Sequence, residues 1–505
     1  MMKKLFNNGT VWALTLVVVR TIIAFVSVPI VTKATSVEAY GFVALANSFI
    51  AYIDIIAVSF NYFAQRYISV CFHKSEYEQS RNYYSSIIFA DIILCIVSSI
   101  PIFLFIYKAE TIINIPNGLL SDVKWLFVFL ILKYDLSLFS ATFEVGAFIK
   151  NRVDLTSKIR VVACLLQFST LCVLFILREP KIYYVGIAAI AYEIFNFIFQ
   201  LWAKNYNVSL LTFSRKNYSF GLIKNLVEKG IWVSINNFGN ILNNGLDLLI
   251  TNLMISEITQ GIISIAKMLS SLNYAVVSAV SDSLKPAQLK FYSEGKTNLL
   301  INELNYAMKI TGTLYIIVIG AFVGCGKEFL VLWLGNTNEI RKLYLFTILC
   351  LLGDLIPSVM KPLYYTYTLT AKMKFPCFVT IIMGLANVIS MYILIANTNM
   401  GGAAVLLTTV VINTIHIIDS PIYSAYCLKI QARSFYKTIG IYIFTCALMI
   451  SIAMGFSLIE ASDSVIIFLI KVILFSITCM LGSYIVMFNK NEKIRLRKEI
   501  MREME

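Results

Sequence analysis

Apolar residues in this chain come in long unbroken runs, without the alternation of a half-buried strand or the narrow stripe of a surface helix. A helix that crosses a bilayer needs roughly 20 mostly apolar residues. Fourteen segments meet that requirement: 10–32, 41–65, 83–107, 125–149, 159–177, 182–202, 231–255, 260–284, 306–325, 343–368, 375–396, 402–427, 437–459 and 464–488. The absence of period-two alternation excludes a transmembrane β-barrel. The prediction is an all-α, polytopic membrane protein with about 14 transmembrane helices.

Composition strengthens this reading. Of 505 residues, 59% are hydrophobic and 14% charged, too apolar for the surplus to be hidden in soluble cores. The net charge of +14 would suggest nucleic acid in a soluble protein, but its distribution gives another answer. Basic residues alternate from loop to loop, 28 on one side against 8 on the other. The richer side includes Lys3, Lys4, Lys150, Arg152, Arg215, Lys216 and the tail from Lys490 to Arg502. The positive-inside rule then puts both termini in the cytoplasm of a cell inner (plasma) membrane, and nucleic acid is not an expected partner. Met1-Met2-Lys3-Lys4 resembles the start of a signal peptide, yet the run from Thr10 to Val31 is too long for one and holds Arg20. It reads as a retained first span. All five tryptophans fall near span ends, as interfacial anchors would.

The counts also limit the chemistry. Ten cysteines are scattered singly, and His73 and His416 are the two histidines, so no metal site is expected. No phosphate-binding glycine loop is present, so no cofactor or ATP-driven step is expected. The outer loops are short, and the longest, Gly326 to Lys342, offers Glu328 and Glu339 without histidine. That disfavours an enzyme such as a membrane polysaccharide polymerase.

The longest polar stretch divides the chain into an N-lobe at 1–203 (spans 1–6), a basic cytoplasmic linker at 204–230 and a C-lobe at 231–428 (spans 7–12). Spans 13 and 14 with a basic tail occupy 429–505. The second half repeats the first. Glu38-Ala-Tyr-Gly41-Phe-Val-Ala-Leu-Ala46 aligns with Ile258-Thr-Gln-Gly261-Ile-Ile-Ser-Ile-Ala266. Six spans separate the copies, so the two six-helix lobes should be related by a pseudo-twofold along the membrane normal.

Ionisable side chains inside a bilayer are costly and usually face a cavity, a partner or a functional path. Arg20, Asp54, Lys133, Asp135, Asp247, Lys267, Asp354 and Lys361 lie within spans. Asp354 and Lys361, seven apart about Pro357, could neutralise each other; Lys471 reads as a snorkelling lysine. Asp91 and Glu193 have no evident partner. Arg20 and Lys267 lack an acid one turn away on their own helices, so another helix or an anion must satisfy them, with Asp54 and Asp247 as helix candidates. In span 7, Asn236, Asn240, Asn243 and Asp247 recur as one helical stripe. Such a stripe either glues helices or, as favoured here beside Gly239 and Gly245, lines a wet cavity suited to sugar hydroxyls.

These residues resemble those of a known family. Glu38-Ala-Tyr-Gly41-Phe, Asp54 and Gln65-Arg66-Tyr67-Ile68, with Gly261-Ile-Ile-Ser-Ile-Ala266 and Glu328-Phe-Leu-Val-Leu-Trp333-Leu-Gly335 in the second half, resemble the polysaccharide flippases of the MATE/MOP exporter superfamily. That group includes the O-antigen (Wzx-type) lipid-linked oligosaccharide flippases. Ile263 stands where tyrosine is usual. The resemblance implies two lobes around a cavity lined by helices 1, 2, 7 and 8, plus two C-terminal helices. It implies export of an undecaprenyl-pyrophosphate-linked oligosaccharide to the outer leaflet, with a polysaccharide polymerase and glycosyltransferases as possible partners and a proton or sodium counter-ion. On that basis Arg20 and Lys267 are expected at the pyrophosphate, and Asn236, Asn240 and Asn243 at the sugars. Asp54, Asp247, Lys133 and Asp354 are candidates for ion coupling or gating. A cation-coupled MATE-type multidrug exporter and a lipid II flippase are the alternatives.

Overall fold

A computed structural model describes residues 9–458 and 465–504; Lys3 and Lys4 lie outside them. The described residues contain helices and no strand. The long helices are α1 (Gly9–Ala34), α2 (Val37–His73), α3 (Tyr77–Tyr107), α4 (Leu120–Phe143), α5 (Val153–Leu177), α6 (Tyr184–Asn207) and α7 (Phe220–Asn244). They continue as α8 (Glu257–Ser293), α9 (Thr297–Leu334), α10 (Ile340–Leu369), α11 (Lys374–Asn397), α12 (Gly402–Leu428), α13 (Arg433–Ser457), α14 (Val465–Met487) and the tail helix α15 (Lys490–Met504). Each expected span falls on one of α1–α14. Twelve of these segments are apolar and long enough to cross a membrane by composition alone; α2 and the polar α7 are the two outside that set.

Two spans are broken. In α4 the helix yields after Phe143 and resumes as Val145–Ile149. Span 7 was expected as one helix, but α7 ends at Asn244 and a short helix follows at Asp247–Met254. The Gly245 carbonyl, which a continuous helix would use internally, instead accepts the Tyr52 hydroxyl at 2.7 Å. Within 204–230, α6 runs to Asn207 and α7 starts at Phe220.

The chain forms two units. The first comprises α1–α7, the opening of α8 up to Ser264, and the segment Thr380–Leu385 of α11. Within it α1 lies on α5, α4 and α5 lie on α6, and α2 packs with both α3 and α7. Its core gathers Ala64, Ile68, Tyr84, Ile87 and Phe143. Serine 36 caps α2, its hydroxyl accepting the Ala39 N–H at 3.1 Å, a bond that satisfies one of the free donors at a helix start.

The second unit holds the remainder of α8 and α11 with α9, α10 and α12–α15. Here α10 packs on α12, and α9 on α10, α13 and α14. Buried Tyr306, Tyr315, Tyr442, Phe435 and Phe475 fill the core. Proline 357 cannot donate to the Gly353 carbonyl; the Asn413 side chain takes over, donating to that oxygen at 3.0 Å. The carbonyl that the proline leaves without a helical donor is thus satisfied from α12.

Candidate functional site

In the first unit the repeat motif meets itself. A Cβ placed on Gly41 would lie 2.8 Å from the Gly261 Cα, and one on Gly261 would collide with the Val37 carbonyl oxygen. Only glycine permits this approach between the starts of α2 and α8. An amide clamp surrounds it. Asn252 accepts the Asn114 backbone N–H at 2.9 Å and donates to the Asn114 carbonyl at 3.0 Å. Its carbonyl receives the Asn114 amide at 2.7 Å. Asn252 also donates to Gln260 at 2.8 Å, and Gln260 donates to the Gly41 carbonyl at 2.9 Å. Sequence reasoning did not single out Asn114, Asn252 or Gln260. The available signal was a glutamine immediately before the repeated glycine.

Arg20 is exposed on α1 and lies against Cys164 of α5 and Tyr192 of α6. It is therefore not held by Asp54 or Asp247, the helix partners considered above. Asp54, half-buried on α2, instead lies within electrostatic reach of Lys133 on α4. Asp247 is buried at the first turn of its short helix, near Tyr52, where a carboxylate complements the helix dipole. The asparagine stripe survives on α7 for Asn236, Asn240 and Asn243, while Asp247 is set apart by the break. Asn236 is half-buried, Asn240 exposed and Asn243 buried. Beside Asn243, glycines let α11 approach α7: a Cβ on Gly384 would sit 2.6 Å from the Leu242 Cβ and 2.8 Å from the Gly239 carbonyl.

In the second unit Lys267 and Asp354 are brought together. Asp354 accepts the Ser270 hydroxyl at 2.6 Å, and Lys267, one turn before Ser270 on α8, lies in electrostatic range of the same carboxylate. Asp354 and Lys361 do not pair with each other. Both reach to α8, Lys361 donating to the Tyr274 hydroxyl at 3.2 Å and standing 4.8 Å over its ring. The spacing explains this: Ser270 and Tyr274 are one helical turn apart, so α8 offers both groups on one face. Toward the end of α8, Lys285 pairs with Asp282 at 2.6 Å and stands 5.2 Å over the Tyr365 ring of α10. His416 and Asp419 pair at 2.9 Å on α12. Lys471 does not snorkel; it is buried and meets Glu328 of α9 at 2.7 Å.

Both units thus hold charged and amide side chains within long apolar helices, and comparisons place the fold. The chain aligns with the structure of lipid II flippase MurJ in an inward closed conformation over 94% of its length and 97% of that chain, at a TM-score of 0.65 and 15% identity. It also aligns with an inward-facing multidrug resistance MATE family transporter of the MOP superfamily, over 82% of this chain and 94% of that one, at 0.63 and 13%. The fold is the all-α, two-lobed fold that these proteins share, and the chain is a multi-pass membrane protein. Among curated proteins it is 28% identical over 362 residues to uncharacterized membrane protein EpsK of Bacillus subtilis (strain 168), covering 72% of this chain and 71% of that one. No protein-family model matches.

Proposed function

We propose that this protein is a flippase that carries an undecaprenyl-pyrophosphate-linked oligosaccharide from the cytoplasmic to the outer leaflet by alternating access. The observation that carries the reading is a fold matched end to end by a lipid flippase, combined with cationic and amide side chains inside its spans. Arg20 offers a cation in the first unit and Lys267 one in the second, and each can contact an anionic headgroup. Asn236, Asn240 and Asn243 supply donors and acceptors suited to sugar hydroxyls. Moving negative charge outward is favoured by a negative-inside potential, by about 2.3 kcal/mol per charge per 100 mV. Asp54 with Lys133, Asp247, and Asp354 beside Lys267 are proposed to bind a proton or sodium ion, or to switch partners during the cycle. Glycosyltransferases would supply the cargo and a polymerase would consume it.

The test is a deletion strain. Lipid-linked glycan should accumulate on the cytoplasmic leaflet, and the wild-type gene should clear it. Arg20→Ala and Lys267→Ala, at normal expression, should not. Full clearance by both variants would remove the headgroup assignment; drug efflux without glycan accumulation would favour the multidrug reading that the MATE likeness also supports.

A further inference from the structure

Asp91 on α3 takes no part in the roles assigned above. Its side chain is 0% exposed. One carboxyl oxygen meets the Thr142 hydroxyl of α4 at 2.6 Å, and the other is buried with no hydrogen-bond partner among the described residues. Ile87, one turn before it on α3, and Phe143, next to Thr142 on α4, belong to the buried apolar core of this unit. Among the described residues no ammonium or guanidinium group pairs with it; its one polar contact is the Thr142 hydroxyl. The titratable groups facing it are Tyr84 and Cys95 from α3 and Tyr134 from α4. The cations nearby are engaged elsewhere. Lys204 of α6 stands over Tyr84 and donates to the Leu211 carbonyl. Arg160 of α5 pairs with Glu144 at the end of α4, and Lys133 faces Asp54 of α2.

A bare carboxylate with one hydrogen bond and no counter-charge is strongly disfavoured in such surroundings; binding a proton removes the charge. We propose that Asp91 is a proton-binding site on the seam between α3 and α4, and that its occupancy is linked to the conformation of the first unit. The seam extends beyond it. Asp91, Cys95 and Ser99 stand at successive turns on one face of α3. Cys95 faces the Asp135 carbonyl at 3.7 Å, and Ser99 donates to the Asp135 carboxyl at 3.0 Å. The second Asp135 oxygen is also buried without a partner among the described residues. Two carboxyl groups therefore lie on one polar stripe in an otherwise apolar interface. The step is a simple one: water delivers a proton to the Asp91 carboxylate, or takes one from the acid, and no bond between heavy atoms changes. The proposal deepens the transport reading by naming the coupling ion, and rests on that reading only for the use to which the proton is put.

Infrared difference spectroscopy of the full chain in lipid membranes tests occupancy. At neutral pH the wild type should show a protonated-carboxyl band that Asp91→Asn lacks and Asp135→Asn retains. Hydrogen exchange of α3 and α4 tests linkage. Wild type should lose protection as pH rises and the proton leaves, whereas Asp91→Asn, which mimics the acid, should keep the low-pH pattern throughout. Thr142→Val, which removes the carboxylate's one hydrogen bond, should move the transition to higher pH, a shift that mere packing would not produce. It also serves if Asp91→Asn does not fold. A missing Asp91 band, or an unchanged pH response in the variant, overturns the proposal. Neither readout depends on the cargo, so failure of the flippase assignment would be seen separately in the glycan assay.

Discussion

The Lys471 ammonium of α14 lies 2.7 Å from a carboxylate oxygen of Glu328 on α9, with Lys471 only 6% exposed. Breaking such a pair from one side leaves the other charge buried and typically costs about 3–5 kcal/mol, whereas replacing both by apolar groups is often neutral. Lys471→Met alone should therefore lower the thermal stability of the purified protein sharply. Combining it with Glu328→Met should restore most of the loss. Equal losses in the single and double variants would show that the pair contributes nothing specific.

The tail helix should come loose when its anchors are cut. Arg495 forks onto buried Glu303 and stacks 4.1 Å over Tyr306, while Lys309 holds Glu492 at 2.8 Å. Glu303→Gln should expose α15 to protease, raising cleavage there by an order of magnitude or so, since about 1.4 kcal/mol corresponds to tenfold. Exchanging the charges, Glu303→Arg with Arg495→Glu, should restore resistance in part. Protection unaltered in Glu303→Gln would mean that Leu496, packed against the core, holds the helix by itself.

Gly384 should tolerate nothing larger. Its Cβ would collide with the α7 backbone, and overpacking of this kind costs roughly 1–3 kcal/mol. Gly384→Ala is expected to reduce stability within that range and Gly384→Leu to abolish folded protein, as read by size-exclusion profiles in detergent. Gly440, which has open space around it, is the control: Gly440→Ala should be neutral or mildly stabilising.

Asn252→Leu should be the most damaging of the amide substitutions. It strands Gln260 and both backbone groups of Asn114, and each buried polar group left unsatisfied costs about 1–3 kcal/mol. Asn252→Asp keeps the acceptor for the Asn114 N–H but loses both donated bonds, so its effect should fall between those of wild type and Leu. Hydrogen exchange at Asn114 reports this directly; an Asn114 amide that exchanges no faster in Asn252→Leu would disprove the clamp.

The spans were legible because each demands some twenty apolar residues in a row, a signal that needs no knowledge of packing. The break in span 7 was not, since Tyr52, which captures the Gly245 carbonyl, is far away in sequence. The same limit applied to charges. Asp354 and Lys361 looked like partners because sequence shows only their own helix, whereas Ser270 and Tyr274 on α8 supply their contacts. Lys471 looked like a snorkelling residue because Glu328 was read as part of a loop. Asp91 shows no partner on its own helix, and the hydroxyl that meets it, Thr142, belongs to α4 and lies 51 residues away in sequence.

Gly41 and Gly261 are separate positions on the chain and a single site in space. A side chain gained at either copy would occupy volume held by the backbone of the other repeat, so no change at one can be judged without the other. Copying one ancestral half would have delivered both glycines at once. A chain joined from two unlike halves would have had to acquire them together, because a glycine on one side alone leaves the crossing blocked.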